Sequence, residues 1–179
     1  KIKNNYSLIK NQIYKFKVLD FFKKNFLKND SLALIKLIYF SSTKIPLFKN
    51  TLKVLNKLKN KYLLLMITDG NELHQFNKIY LSGLLKYIQP KNIIINSKKK
   101  YMKPSTYSYK KLISLNHLNP KNTFYVGDNP KKDFSGAKKL GLKTIRIIKG
   151  KNKGIKKNKY IYFQIKNLNQ LDMLIKKIK

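Results

Sequence analysis

The sequence contains no cysteine, which excludes disulfides and thiol chemistry. Its only histidines are His74 and His117, so no His pair stands at metal-binding helical spacing. No run of eighteen apolar residues occurs, so the chain holds no candidate transmembrane helix. The first residues carry no signal-peptide pattern. These absences set the expectation of a cytoplasmic protein that makes no membrane contact. Acids are scarce too, with seven Asp and Glu in 179 residues. Arginine is represented by Arg146 alone among 41 basic residues.

The formal net charge of +34 invites a nucleic-acid-binding reading. The near-absence of arginine argues against it, because base and phosphate readers favour the planar, bidentate guanidinium. The lysines are also spread along the whole chain instead of gathering in one arm. Lys, Asn, Ile, Tyr and Phe all have A/T-rich codons, so genome composition is the simpler source of the charge. The expectation is therefore no nucleic-acid partner, with a Lys-rich binder kept as a rival. Against this basic background the acids are informative. Asp69, Asp128 and Asp133 all fall in or beside apolar segments that end in small polar residues.

Residues 1–11 are polar and lysine-rich. From Ile13 the spacing is helical, with Phe16, Leu19, Phe22 and Phe26 able to share a face. Asp30 and Ser31 are an N-cap signal for a second helix carrying Leu32, Ile35 and Tyr39. Beyond Pro46 a helix is expected over 49–60, then a buried strand over Tyr62–Ile67, whose near-continuous apolar run suits a strand covered on both faces. A helix over 72–82, a strand over 92–95 and a helix from Pro104 or Ser105 to about Asn116 follow. Then come a strand over 124–126, a helix over 133–140 and a strand over 143–148. A basic loop spans 150–159, before a short strand over 160–163 and a closing helix over 168–178. All five prolines fall in loops or at helix starts. Strands alternating with helices indicate an α/β fold with a doubly wound parallel sheet.

The chemistry gathers at strand ends. Phe124-Tyr125-Val126-Gly127-Asp128 is an apolar strand ending in Gly-Asp, with Asp133 five residues on. In open α/β sheets, ligands bind outside the carboxyl ends of strands. Two carboxylates there suit a hard cation such as Mg2+, which takes oxygen ligands and few protein carboxylates. The alternative is an ordinary turn with Asp133 as a helix N-cap. Leu63 to Thr68-Asp69-Gly70-Asn71 is a second apolar strand with a small polar end. Its loop can present backbone N–H groups to an anion. Lys103-Pro104 stands between the two. Asn71 and Asn129 are candidates for substrate contact or for simple turn roles. His74 is either a pocket residue or a surface position on its helix, and His117 reads as surface.

A strand-end Thr, a Lys and a strand-end Gly-Asp with a second Asp, in that order, resemble the haloacid dehalogenase (HAD) superfamily. Thr68 matches its second motif, Lys103 its third, and Asp128 with Asp133 its fourth. Ile67-Thr68-Asp69-Gly70, Gln75 with Lys78 and Ile79, and Gly136-Ala137 through Gly141 resemble the branch with a helical cap. The resemblance covers roughly residues 40–150. It implies a HAD-like core at 41–179 lacking its first strand, and a partial helical cap at 1–40. It further implies Mg2+-dependent hydrolysis of a small phosphorylated metabolite through an aspartyl-phosphate. The catalytic set would be Thr68, Lys103, Asp128 and Asp133. The phosphate would lie against Thr68, Asp69, Gly70, Asn71 and Lys103, and the metal on Asp128 and Asp133. A non-catalytic HAD-like protein is the other alternative. A metal-free dehalogenase is disfavoured by the two acids of the fourth motif.

The family's first motif, a strand ending in Asp-x-Asp, has no match here. The nearest candidate, Asp20, is followed by Phe at the second acidic position and sits in a helical pattern. The expectation is a chain without its nucleophile and so inactive by itself. In the family the absent strand lies between those ending at Thr68 and Asp128. A poorly stable chain is therefore expected, with the two strands collapsed together or Leu8–Val18 drawn between them. The sequence leaves substrate identity and oligomeric state open.

Overall fold

The computed structural model describes residues 45–178, apart from the Leu73 side chain. The expected helices before Pro46, Asp20 and the Leu8–Val18 segment lie outside the described residues. The elements, in order, are α1 (Lys49–Lys59), β1 (Met66–Asp69), α2 (Glu72–Leu81), β2 (Ile93–Asn96) and α3 (Tyr107–Leu115). Then follow β3 (Phe124–Gly127), α4 (Ser135–Lys139), β4 (Lys143–Ile147), β5 (Phe163–Ile165) and α5 (Gln170–Ile178). Pro90 and Pro120 each open a single 3-10 turn just before a strand, where their fixed φ suits the tight entry.

Every strand pairing among the described residues is parallel. β1 pairs with β2, with Asp69 opposite Asn96 at the carboxyl end. β3 pairs with β4, with Gly127 opposite Arg146, and β4 pairs with β5. The strands thus form a pair, β1-β2, and a triplet, β3-β4-β5, with no ladder between β1 and β3. A cavity of about 610 Å³ lies there, lined by Leu64, Met66 and Ile67 on one side and Phe124, Tyr125 and Val126 on the other.

Alternation along the strands builds a core on each face. Phe124, Val126, Ile145 and Ile147 pack with Val54 and Leu58 of α1 and Leu171 and Ile175 of α5. Tyr125 and Ile67 join a second cluster with Tyr109 of α3, Ala137 of α4 and Leu142. Helices therefore cover both faces, as the continuous apolar runs required. On the first face Asp172 ties the two helices. Its carboxylate lies 2.9 Å from Lys57 and 3.8 Å from Lys61 of the α1 end, and 4.0 Å from Lys176. The Lys57 hydrogen bond holds its carboxyl below the ordinary value.

Two strands differ from their expected limits by more than one residue, each for a physical reason. The run expected over Tyr62–Ile67 enters the ladder only at Met66, because its partner β2 is four residues long and begins at Ile93. The strand expected over 160–163 begins at Phe163. The Thr144 hydroxyl takes the place of ladder bonds there, donating to the Tyr160 carbonyl at 2.6 Å and accepting from the Tyr162 N–H at 3.1 Å.

Ile145 is fully buried at the middle of β4. Ile145→Ala should cost about 2–5 kcal/mol, read as a lower urea midpoint. Met173, exposed on α5, should tolerate Ala within about 0.5 kcal/mol. The Asp172 carboxyl lies below 3.8 in the fold, so its contribution is present above that value and is lost as pH falls through the folded pKa. Asp172→Asn should therefore lower Tm near neutral pH and converge on the parent as the solution is acidified.

Candidate active site

The carboxyl ends of β1 and β3 carry the three motif acids, and each is held in place by named donors. Asp69 ends β1. Its Oδ1 accepts from Asn96 Nδ2 at 2.9 Å, and Asn96 Oδ1 in turn accepts from Ser108 Oγ at 2.6 Å. Its Oδ2 accepts from the backbone N–H of Lys103 at 3.2 Å, with Lys132 Nζ 4.0 Å away. Asp69 thereby joins β1, β2 and the start of α3 to the loop that carries Lys103. The Lys103–Pro104 bond in that loop is cis.

Asp133 holds the other end of the same lysine. Lys103 Nζ lies 3.1 Å from Asp133 Oδ1, the lysine side chain 11% and the aspartate 4% exposed. Asp133 Oδ2 accepts from the N–H of Asn129 at 2.8 Å and of Asp128 at 3.2 Å. The carboxylate is thus spent on the preceding loop and does not cap a helix; α4 starts later, at Ser135, with no side-chain cap. This is why the helix expected from Asp133 is shorter.

Two close approaches allow the arrangement. A Cβ at Gly127 would stand 2.8 Å from Asp133 Oδ2, so only glycine lets the carboxylate fold back on the strand end. A Cβ at Gly136 would fall against the Pro104 carbonyl oxygen, so glycine lets α4 press on the Lys103 loop.

Two tyrosines line the underside. Tyr125 Oη accepts from Lys103 Nζ at 3.4 Å and lies 3.5 Å from Asp133 Oδ1. Tyr109 Oη donates to the Asp133 carbonyl at 2.7 Å. The rings meet edge to face with centroids 5.0 Å apart. Burial pushes both phenols well above their ordinary pKa, keeping them protonated as donors.

Asp128 differs from the other two acids. Its Oδ2 accepts from Asn152 Nδ2 at 2.7 Å, and no described residue donates a hydrogen bond to its Oδ1. Thr68 shares the strand end with Asp69, but its hydroxyl donates to Gln75 Oε1 on α2 at 2.9 Å and bonds neither Lys103 nor Asp128. Gly70 continues the turn with φ 138°, its N–H on the Asn96 carbonyl at 3.0 Å. Asn71 caps α2 by accepting from the His74 N–H at 3.1 Å, and Asn129 Oδ1 accepts from Lys131 N–H at 3.0 Å. Both asparagines thus make turn bonds through their Oδ1 atoms. His74 is exposed on α2. Among the described residues no group of three His, Cys, Asp or Glu side chains converges on a metal position. The arrangement therefore offers a fixed cation, Lys103, and one open carboxylate oxygen, on Asp128.

The sequence model of the haloacid dehalogenase-like hydrolases matches residues 6–147. The chain belongs to that family. Its α/β core is also that of solved HAD proteins. A HAD phosphatase from Thermococcus onnurineus superposes with TM-score 0.61 at 24% identity, covering 72% of this chain and 58% of the other. The Bacillus subtilis protein YfnB, solved bound to magnesium, superposes with TM-score 0.63 at 17% identity, covering 97% and 82%. In sequence, the chain is 31% identical over 147 residues to a glyceraldehyde 3-phosphate phosphatase of Methanocaldococcus jannaschii, covering 80% of this chain and 64% of that one. A protein of the same name from Pyrococcus furiosus is 32% identical over 100 residues, covering 55% and 41%. The chain thus spans less than two thirds of the length of either relative.

Within this HAD chain, the residues that sequence reasoning missed are polar partners brought in from a distance. Asn152 stands in the stretch read as a basic loop, and Tyr125 passed as one more apolar strand residue. A hydroxyl next to a strand-end Gly-Asp was the one available signal for Tyr125. Asn96 and Ser108 carry no local mark at all.

Removing the Asp133 charge should leave the Lys103 ammonium without its anion in a largely buried setting. Asp133→Asn should destabilise the chain by about 3–5 kcal/mol, measured by urea unfolding. A loss under about 1 kcal/mol would show that the pair is not the joint described here.

Proposed function

We propose that the protein acts in its intact form as a Mg2+-dependent phosphohydrolase on a small phosphorylated metabolite. The observation that carries the reading is Lys103, held by Asp69 at its backbone and by Asp133 at its ammonium, with the other oxygen of Asp133 on the backbone N–H of Asp128. The names of the two archaeal relatives make glyceraldehyde 3-phosphate the first substrate to try.

The donor set suits Mg2+, which keeps several waters and takes one or two carboxylates plus substrate oxygens. Asp128 would be the direct ligand. Asp133, with both oxygens engaged, would act through water and through Lys103. The cation would supply screening between the carboxylates and the phosphoryl oxygens. Lys103 would neutralise the phosphate as a fixed point charge. The N–H groups at the start of α2, after Asp69-Gly70-Asn71, would add dipolar attraction for the anion. Thr68 would contribute its hydroxyl by exchanging Gln75 for a phosphate oxygen. The sequence holds no Asp-x-Asp pair, so the 179-residue chain would bind phosphate without forming an aspartyl-phosphate. A non-catalytic HAD-like binder is the second reading.

Calorimetry with inorganic phosphate and Mg2+, together with a turnover screen, tests the proposal. Phosphate affinity should fall about tenfold or more, roughly 1.4 kcal/mol, in Lys103→Gln, and stay unchanged in Lys121→Gln, an exposed control. Asp128→Asn should remove the Mg2+ dependence. Equal phosphate binding by the parent and Lys103→Gln would sink the proposal. Turnover of glyceraldehyde 3-phosphate by the chain alone would show that a nucleophile had been overlooked, and turnover only with an added Asp-x-Asp segment would dismiss the non-catalytic reading.

A further inference from the structure

We propose that Arg146 and Asn152 form a brace that aims the Asp128 carboxylate, with Asn152 as the direct positioning residue and Arg146 as its anchor. Arg146 lies on β4 opposite Gly127, one residue from Asp128 in the neighbouring strand. It is 2% exposed. A guanidinium buried to that degree is normally matched by a carboxylate. No described acid lies within ion-pair distance of Arg146, and its Nε has no hydrogen-bond partner among the described residues. Its Nη2 instead donates to the backbone carbonyl of Asn152, at 2.8 Å.

Asn152 closes the Gly150–Asn152 turn and is itself 8% exposed. Its carbonyl oxygen takes a second bond from the Ile155 N–H at 3.2 Å, so both lone pairs are used and the turn is fixed. The side chain then reaches back across to Asp128 Oδ2 at 2.7 Å. A carboxylate accepts only, so the amide must present its NH2 there. That group is neutral and has no lone pair for a metal. It fixes one carboxylate oxygen without competing for a cation and without adding charge, as an aspartate or lysine in its place would do. Oδ1 is left open.

The composition sharpens the point. Every other one of the 41 basic residues is lysine. A lysine at 146 would offer a strongly hydrated point charge in a site sealed from water, where the planar fork is better suited to a backbone carbonyl. The brace is independent of substrate, but its bearing on the cation rests on the proposed role of Asp128.

The test uses the 179-residue chain and reads two things. The first needs no metal: the side-chain amide signals of Asn152 in a 1H–15N spectrum. They should be slowly exchanging in the parent and lose that protection in Asp128→Asn and in Arg146→Lys. The second is Mn2+ affinity by electron paramagnetic resonance. Asn152→Ala should weaken it about fivefold to tenfold. The Asn152→Ala/Arg146→Lys double variant should be no weaker than Asn152→Ala alone, because one brace can be lost only once. Asn152→Ala sits in a turn and decides the question even if Arg146→Lys fails to fold, and circular dichroism checks each variant. Unprotected Asn152 amides in the parent, or additive losses in the double variant, would overturn the brace. Protected amides with Mn2+ binding indifferent to Asp128→Asn would support the brace and overturn the cation assignment instead.

Discussion

An ammonium and a carboxylate that are both mostly withdrawn from water must be well matched, because each alone would carry a large desolvation penalty. Lys103 and Asp133 meet that condition at 3.1 Å, and the surroundings are arranged around the contact. The spare oxygen of Asp133 is satisfied by two backbone N–H groups, and the backbone of Lys103 by Asp69. Gly127 and Gly136 are the two places where the chain must come close for the pair to form. The phenol of Tyr125 completes the lysine's shell from below. Each of these residues would be hard to place without the ion pair.

The same contact also joins the two sheets. β1-β2 and β3-β4-β5 share no backbone ladder, so side chains must connect them. Asp69 belongs to the first sheet and Asp133 to the loop of the second, and Lys103 touches both. Tyr109 and Tyr125 add a layer of ring contact beneath. These motif residues are therefore structural. Local opening at the site and loosening of one sheet from the other should accompany each other.

The sequence was most readable where chemistry imposes a residue type at a strand end. Gly127-Asp128, Asp133 and Lys103 were visible because few other acids compete for attention and because order along the chain is informative. The α/β alternation was visible because buried parallel strands are apolar on both faces. What escaped was decided elsewhere in the chain. Where β1 enters the ladder depends on the length of β2, and where β5 begins depends on the Thr144 hydroxyl. Asp133 satisfies the local pattern of a helix cap, yet the close approach at Gly127 gives it a better use. Asn152 and Arg146 are far from the motifs in sequence, and neither residue type marks its role. Asn71 and Asn129 read equally as substrate contacts or turn residues, and each makes a local turn bond through its Oδ1.

The cavity between β1 and β3 has a polarity. Lys103 links the carboxyl ends of both strands, through Asp69 at the end of β1 and Asp133 in the loop after β3. Among the described residues no backbone ladder joins β1 to β3 across it. An extended segment entering it can satisfy both edges only if it runs parallel to them, since slanted, evenly spaced bonds are required on each side. The apolar walls then select its side chains by alternation, one set toward each core. A segment paired on those terms would bring its own carboxyl end towards the ends of β1 and β3. Pairing a strand there and placing a group at the site would then be one event.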